Sequence, residues 1–409
     1  MKRFLWVIAT GLLARGLLLL CDPTPGTLKH FEPSIIADNL NAGRGFVFEQ
    51  YGATYHAWKE PLYIILLSWL SRGGKTHAVT VMLVQSLFGI ATALGVSLIG
   101  YHLFRNVSRA VVAGMIASAN PFLVYYDTHF IHPLSLDALL FVATALSILW
   151  AMSDHAGGLR RSALAGLMMG FSLWQRATLL VPGLVMWLSR ALFPGMKKAV
   201  VARRACVWLV VALLIIAPWL IRNYRLFGRL ILTTDAAHIL WLGNNPHSNG
   251  TYSDGEGQRV FYLTEPELQA KIASASELEQ YEIFLEEVKR FVRTHPGRSI
   301  GLFIRKLWAF FWFSPNAGIE YNAWQQRLYR GVYILLLIFG VGGLIGHWKQ
   351  ATPMQRHWIV MLMAAVGGLA LLHAATAINM KHRVPWELVL SLFAAESLVR
   401  GVCVIFQEK

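Results

Sequence analysis

Two stretches of this chain, WLVVALLIIAPWLI (208–221) and VYILLLIFGVGGLIG (332–346), carry no charged side chain. Such runs belong in helices that cross a bilayer, which take about 20 predominantly apolar residues. Ten candidate spans can be marked along the sequence, at 4–21, 79–104, 108–126, 133–152, 161–175, 177–193, 201–221, 328–346, 357–378 and 384–405. Composition agrees, with 56% of the 409 residues hydrophobic and 14% charged, against about 25% charged in a soluble domain. The expected fold class is therefore an all-α polytopic membrane protein.

A net charge of +15 raises the question of nucleic acid, but no nucleic-acid motif accompanies it. The basic residues instead gather in short loops: Lys2 and Arg3, Arg105 and Arg109, Arg160 and Arg161, Lys197 to Arg204, Lys349 and Arg356. Placed on the cytoplasmic side, these loops close the parity of ten spans with both termini inside. Arg44, Lys59, Arg72 and Lys75 then lie outside, in a longer loop that obeys the rule less strictly. The N-terminus, MKRFLWVIATGLLARGLLLLC, starts like a signal peptide, but Arg15 interrupts it and no small-x-small cleavage site follows. It reads as a retained first span. Cys21, Cys206 and Cys403 stand far apart without CxxC or Cys/His spacing, so neither a disulfide framework nor a structural zinc site is indicated.

Three parts are expected: residues 1–221 as an N-terminal transmembrane module with a first exterior loop at 22–78, residues 222–327 as an exterior helical domain, and residues 328–409 as C-terminal transmembrane helices. Two further apolar stretches, PLYIILLSWL (61–70) and FIRKLWAFFWF (303–313), are too short to span. With Trp, Tyr and Lys at headgroup level they suit helices lying along the outer interface. The exterior domain contains WLGNNPHSNGTYSDGEG, rich in turn formers. Two helices with capping-box starts follow, Thr264 with Glu267 and Ser276 with Glu279. The second presents Leu278, Tyr281, Phe284, Leu285, Val288, Phe291 and Val292 on one face.

Under this topology the outer surface collects the ionisable groups. Glu32, Asp38, Lys59 and Glu60 lie in the first loop; Asp127, His129 and His132 in YYDTHFIHP. Arg176 sits at a tight turn, Arg222 opens the exterior domain, and Lys381, His382 and Arg383 follow the ninth span. Arginine or lysine there can hold a phosphate while a carboxylate serves as base. Plainer roles stand beside these: Arg176 and Arg383 as headgroup anchors, the two histidines as hydrogen-bonded structural residues rather than a metal pair, and Asp38 as a cap. Asp137, one turn inside its span, needs a partner.

The ordered segments FEPSIIADNLNAGRGF, TYHAWKEPLY, LMMGFSLWQRATLLVPG, PWLIRNYRLFG with WLGNNP, and KHRVPW together resemble the GT-C superfamily of membrane glycosyltransferases. The nearest groups are the bacterial relatives of protein O-mannosyltransferases and of the lipid A aminoarabinose transferase, of the glycosyltransferase family 39 type. This resemblance implies a GT-C-type bundle of about 10–12 transmembrane helices with interfacial helices and an exterior domain. It implies transfer of a sugar from a polyprenyl-phosphate donor to a lipid, glycan or protein acceptor at the extracytoplasmic face of a bacterial inner membrane. A first-loop acidic residue is essential in such enzymes. Glu32 occupies that place, although His30 and Phe31 precede a single Glu where many members have an Asp or an Asp-Glu pair. The catalytic candidates are thus Glu32 and Asp127. The donor-phosphate candidates are Lys59, Arg176, Arg222, Lys381 and Arg383, and the substrate-binding candidates are His56, Asn244 and Asn245. No resident cofactor is implied, and a divalent metal stays an open alternative. The competing readings are a lipid-linked-glycan transporter or flippase, which would place ionisable groups near mid-bilayer, and an enzyme of the O-antigen ligase or polymerase kind.

Overall fold

The computed structural model describes residues 2–23, 28, 30–72, 75–152, 157–193, 197–254, 256–314, 316 and 321–407, with side chains to residue 401 except those of Arg72 and Lys75. The first helix, α1 (Leu5–Cys21), turns Leu5, Leu12, Leu13, Leu17 and Leu20 outward and Val7, Gly11 and Arg15 inward. An exposed leucine row on a membrane helix faces lipid. The first loop holds α2 (Glu32–Asn41), a hairpin of β1 (Phe48–Gln50) and β2 (Ala53–Tyr55), α3 (Pro61–Trp69) and a second, smaller hairpin pairing Ser71 with Thr76. Pro33 and Pro61 sit in the first turns of α2 and α3, where a missing N–H costs nothing.

The bundle continues with α4 (Ala78–Phe104), α5 (Val107–Ser118), α6 (Pro121–His129), α7 (Leu134–Ala151), α8 (Gly158–Gln175), α9 (Leu180–Leu192) and α10 (Lys198–Phe227). The expected span 108–126 is broken into α5 and α6, bent by 45°. Asn120 caps the new helix by accepting from Phe122 N at 3.0 Å and Leu123 N at 3.1 Å. Pro121 forces its predecessor out of helical geometry. Helix α10 runs six residues beyond the expected end at 221 and stops at Gly228, whose φ of 67° is left-handed.

The segment expected to form the exterior domain comprises α11 (Asp235–Leu242), α12 (Pro266–Ala273), α13 (Glu277–Thr294) and α14 (Pro296–Phe311). The Ser276–Glu279 capping box forms. The one expected at Thr264 does not, because Pro266 takes the first helical position, Glu265 becomes the cap, and the Thr264 hydroxyl donates to Phe261 O at 2.7 Å. The buried face of α13 is rotated from the expected one toward Glu277, Gln280, Phe284, Val288 and Phe291, leaving Val292 exposed. Two polar residues enter that face because each finds partners. Glu277 accepts from His56 N at 2.6 Å, Ala57 N at 3.0 Å and Thr234 Oγ1 at 2.7 Å. The Gln280 amide donates to Tyr51 O at 3.0 Å and Ile272 O at 2.8 Å and receives the Tyr55 hydroxyl. These bonds stitch the β1–β2 hairpin of the first loop into the exterior domain.

Helix α14 leaves Ile300, Ile304 and Trp308 exposed in one row, as an interfacial helix requires. The Arg305–Lys306 pair, expected at headgroup level, is split: Arg305 is exposed and Lys306 is fully buried. Its ammonium donates to Thr376 O at 2.6 Å, Gly243 O at 2.9 Å and Asn244 Oδ1 at 3.0 Å. Burial pulls its pKa down to about 7. Lys306 thus braces α14 against the exterior loop and the segment leading to Lys381.

The chain closes with α15 (Ala323–Gln350), α16 (Pro353–Ala375) and α17 (Val384–Gln407). Among the described residues α1, α4, α7, α10, α15 and α16, six of the ten expected spans, are long and apolar enough to cross a membrane. The bent α5–α6 pair has the length and composition of a seventh if its two helices are taken together. Helix α8 packs along α7 and α10, α9 along α16, and α17 along α15 and α5. The basic loops meet at one end of this bundle. Arg109 pairs with Glu396 at 2.9 Å, Gln355 donates to Leu103 O at 2.6 Å, and Arg204 donates to Ala151 O at 3.0 Å. Arg3 reaches Ser108 at 3.5 Å, and the rings of Phe193 and His357 stand 4.4 Å apart. The molecule is an integral, multi-pass, all-α membrane protein whose first loop and exterior domain share the opposite end.

Candidate functional site

At that opposite end, short connections between helices bring together side chains distant in sequence. Glu32 is the first residue of α2, half-buried, with Phe31 as cap and Pro33 behind it. Burial alone would raise its carboxyl, but the charges of Lys59, Lys381 and Arg259 and its own backbone N–H outweigh this and hold its pKa below the ordinary value. Phe31 packs its ring edge-on to His132, with centroids 5.4 Å apart. This contact ties the α2 N-terminus to the α6–α7 connection.

Lys59 and Glu60 precede α3. Lys59 is paired with Asp235 of α11 at 2.7 Å. Burial works against its ammonium, yet Asp235 and Glu32 raise its pKa. Glu60 accepts from Ala177 N at 2.9 Å, and burial with neighbouring Asp235 pushes its carboxyl up to about 7 against the opposing pull of Arg176. Arg176, in extended backbone between α8 and α9, binds Asp137 through Nε and Nη2, both at 2.6 Å. Gln175 holds the other Asp137 oxygen at 2.7 Å. The partner that Asp137 needs is thus the Gln175–Arg176 connection between α8 and α9.

On the far side of Glu32, Lys381 stands in the turn Met380–Arg383, its Nζ 3.0 Å from His132 Nε2. His132 Nδ1 in turn accepts from Leu134 N at 3.1 Å. Burial, then Lys381, Arg176 and Lys59, drive the His132 pKa well below the ordinary value, and His382 is lowered in the same way. His238 of α11 is pulled down to about 3 by burial, Lys59 and Arg259. The site is therefore rimmed by neutral imidazoles. Its positive charge comes from Lys59, Arg176, Lys381 and Arg259, and Glu32 is a carboxylate that feels the charge of three of them, Lys59, Lys381 and Arg259. Among the described residues no three His, Cys, Asp or Glu side chains come together as a metal would require.

Several candidates from the sequence lie elsewhere. Asp127 is fully buried within the bundle and paired with Arg15, which also donates to Gly11 O at 3.0 Å and Ser118 O at 3.2 Å. Gly89 leaves room for this pair, since a Cβ there would overlap both side chains. Arg383 is 1% exposed. Its guanidinium binds Glu387 at 3.0 Å, Tyr329 Oη at 2.7 Å and Trp312 O, and lies 3.7 Å from the Tyr333 ring centroid. With its donors committed in an aromatic box, it is a brace rather than a phosphate ligand. Arg222 stacks 4.6 Å from the Trp219 ring and donates to His56 O at 3.0 Å, so His56 enters the fold through its backbone.

Asn244 accepts from Lys306 and donates to Leu240 O and Ala375 O, both at 2.8 Å. Asn245 folds its own loop, donating to Trp241 O at 2.8 Å and accepting from His247 N at 2.8 Å. Both asparagines are structural here. Asp38 accepts from Thr76 N and Oγ1 at 2.9 and 2.8 Å, and His129 bonds Thr128 and Asp22 O rather than sharing a ligand with His132. Asp235, His238 and Arg259 carry no motif-like spacing in sequence. Only the docking of this domain brings Asp235 and His238 to Lys59 and lets the Arg259 charge be felt at Glu32.

No protein-family model matches the chain, and no curated protein is recognisably similar to it in sequence. Solved structures do match. The crystal structure of the apo oligosaccharyltransferase of Archaeoglobus fulgidus aligns over 99% of this chain and 51% of its own, with a TM-score of 0.57 and 14% identity. The same organism's oligosaccharyltransferase AglB, in complex with an inhibitory peptide and a dolichol-phosphate, aligns over 98% and 50%, with a TM-score of 0.54 and 13% identity. ArnT from Cupriavidus metallidurans, bound to undecaprenyl phosphate, covers 96% and 77% at 15% identity, but its TM-score of 0.45 is too loose to argue from. The chain thus shares the fold of the archaeal oligosaccharyltransferase and spans about half of its length.

Proposed function

We propose that this protein is a glycosyltransferase that moves a sugar from a polyprenyl-phosphate donor to an acceptor at the extracytoplasmic membrane surface. The observation that carries the reading is Glu32, a carboxylate kept ionised by Lys59 and Lys381 at the junction of bundle and exterior domain. Lys59, Lys381 and Arg176 are the phosphate ligands of this reading, and Glu32 is the base. Glu32 takes the acceptor's hydroxyl proton, the acceptor oxygen bonds to the anomeric carbon, and the carbon–oxygen bond to phosphate breaks with its electron pair on the phosphate. Attack opposite the leaving group inverts the sugar. Cations preorganised around the phosphate stabilise the charge that develops there. A fold shared with a protein in complex with dolichol-phosphate supports a lipid-phosphate donor.

The test is donor turnover in lipid nanodiscs. The purified protein, given a polyprenyl-phosphate sugar, releases polyprenyl phosphate in step with glycosylated acceptor. Dependence on a nucleotide sugar supplied from the side of the basic loops overturns the reading.

A further inference from the structure

A second concavity opens beside the site, between the tip of the β1–β2 hairpin and helix α12. Its volume is about 510 Å³, and its walls include Gln50, Tyr51, Arg259, Phe261, Tyr262 and Gln269. The hairpin tip is unusual. Tyr51 has a φ of 50° and Gly52 a φ of 79°, so a bulky side chain occupies the left-handed region that normally favours glycine. Strain of this kind persists only where surrounding contacts impose it, and here they aim the ring. Tyr51 lies 4.1 Å from the Phe261 centroid at 30°, and its hydroxyl meets His238 Nε2 at 3.2 Å. Gly52 allows the close approach, because a Cβ there would strike the Ala273 backbone.

The opposite wall is chemically complementary. Tyr262 is 56% exposed, an open aromatic face, and its ring stands edge-on to Phe261 at 5.3 Å. Gln269 spends its amide N–H on Thr264 O at 2.7 Å, which orients its carbonyl oxygen as an acceptor. The exposed Arg259 guanidinium makes no hydrogen bond or ion pair among the described residues, while its charge is felt at both Tyr51 and Glu32. An open tyrosine face, fixed amides and an uncommitted guanidinium match a saccharide ring. The C–H face of such a ring stacks on tyrosine, its hydroxyls bond amides, and a carboxylate substituent accepts from arginine in a fork.

We infer that this cleft binds an acidic saccharide portion of the acceptor, with Tyr262 as stacking platform and Arg259 as carboxylate ligand. The inference rests on the glycosyltransferase reading for its role and narrows the acceptor from lipid, glycan or protein to a glycan. Bound there, the saccharide lies next to Arg259, whose charge is also felt at Glu32.

Binding can be read without turnover, which keeps the two ideas separable. Saturation-transfer NMR on the intact protein in nanodiscs uses tetragalacturonate and, as a neutral control, chitotriose. Tetragalacturonate is expected to show saturation transfer, and its affinity is expected to fall about tenfold or more in Arg259→Gln, the size of a lost charge-assisted hydrogen bond. Tyr262→Ala is expected to weaken it as well. Absence of tetragalacturonate binding to the unmodified protein, equal binding by both variants, or preference for chitotriose overturns the inference. If tetragalacturonate binds but no donor turns over, the glycosyltransferase reading fails and the cleft stands.

Discussion

Glu32→Gln separates catalysis from binding at this site. The substitution keeps size and removes charge, and the amide oxygen can still accept from the residue's own backbone N–H as the carboxylate does, so the α2 N-terminus is expected to fold as before. Loss of a general base costs about 10²–10⁴-fold in rate, and kcat is expected to fall within that range. Donor affinity should move the other way or not at all, because Lys59 and Lys381 lose a neighbouring negative charge and meet a donor phosphate less neutralised. Since the folded carboxyl lies below its ordinary 4.5, the unmodified enzyme is expected to show no loss from this group down to about pH 5. The assay is single-turnover release of polyprenyl phosphate in nanodiscs, with kcat and the donor KM measured from pH 5 to 8. A kcat for Glu32→Gln within about threefold of the unmodified value, too small a loss for a base, refutes the role.

Four further outcomes follow from named contacts. Arg383→Ala strands Glu387 in the aromatic box and is expected to cost about 3–5 kcal/mol in thermal unfolding while surviving protein keeps its donor KM; a donor defect without destabilisation would return Arg383 to the phosphate. Arg15→Met leaves Asp127 buried without its cation and should destabilise similarly, whereas Arg15→Met with Asp127→Leu should recover most of the loss in the same melting assay. Glu60, raised to about 7 by burial and Asp235, holds in the folded state a proton that the unfolded chain releases near 4.5; this stabilisation is complete below 4.5 and lost as pH rises through 7, so Glu60→Gln should flatten the fall in melting temperature between pH 5 and 8. Cysteines placed at exposed Glu49 and Glu256 in a background lacking native thiols should be labelled from outside intact cells, and protection of either would reverse the assigned orientation.

What could be read from the chain, and what could not, divides along physical lines. Apolar runs report burial in lipid directly, so six of the ten expected spans coincide with helices long and apolar enough to cross among the described residues. The continuous span expected at 108–126 is broken before Pro121, because a hydropathy pattern smooths over such a bend. Loop charge reports which end of a helix faces which side, so Glu32, Lys59, Arg176 and Lys381 were all assigned to one end, and the structure brings them together there. Neither signal reports azimuth or depth. Asp127 and Asp235 are both single acidic residues near helix ends. One turns into the bundle to meet Arg15, and the other turns out to meet Lys59. Arg383 and Lys381 are two residues apart, yet one is boxed by Tyr329 and Tyr333 while the other faces His132. Arg259 lies in a polar loop where its neighbours give it no distinction, and its position depends on Glu277 and Gln280 locking the first loop to α13. The exterior domain's buried polar residues thus place the site's last cation. A substitution such as Gln280→Leu, far from Glu32 in sequence, should move Arg259 and with it the cleft.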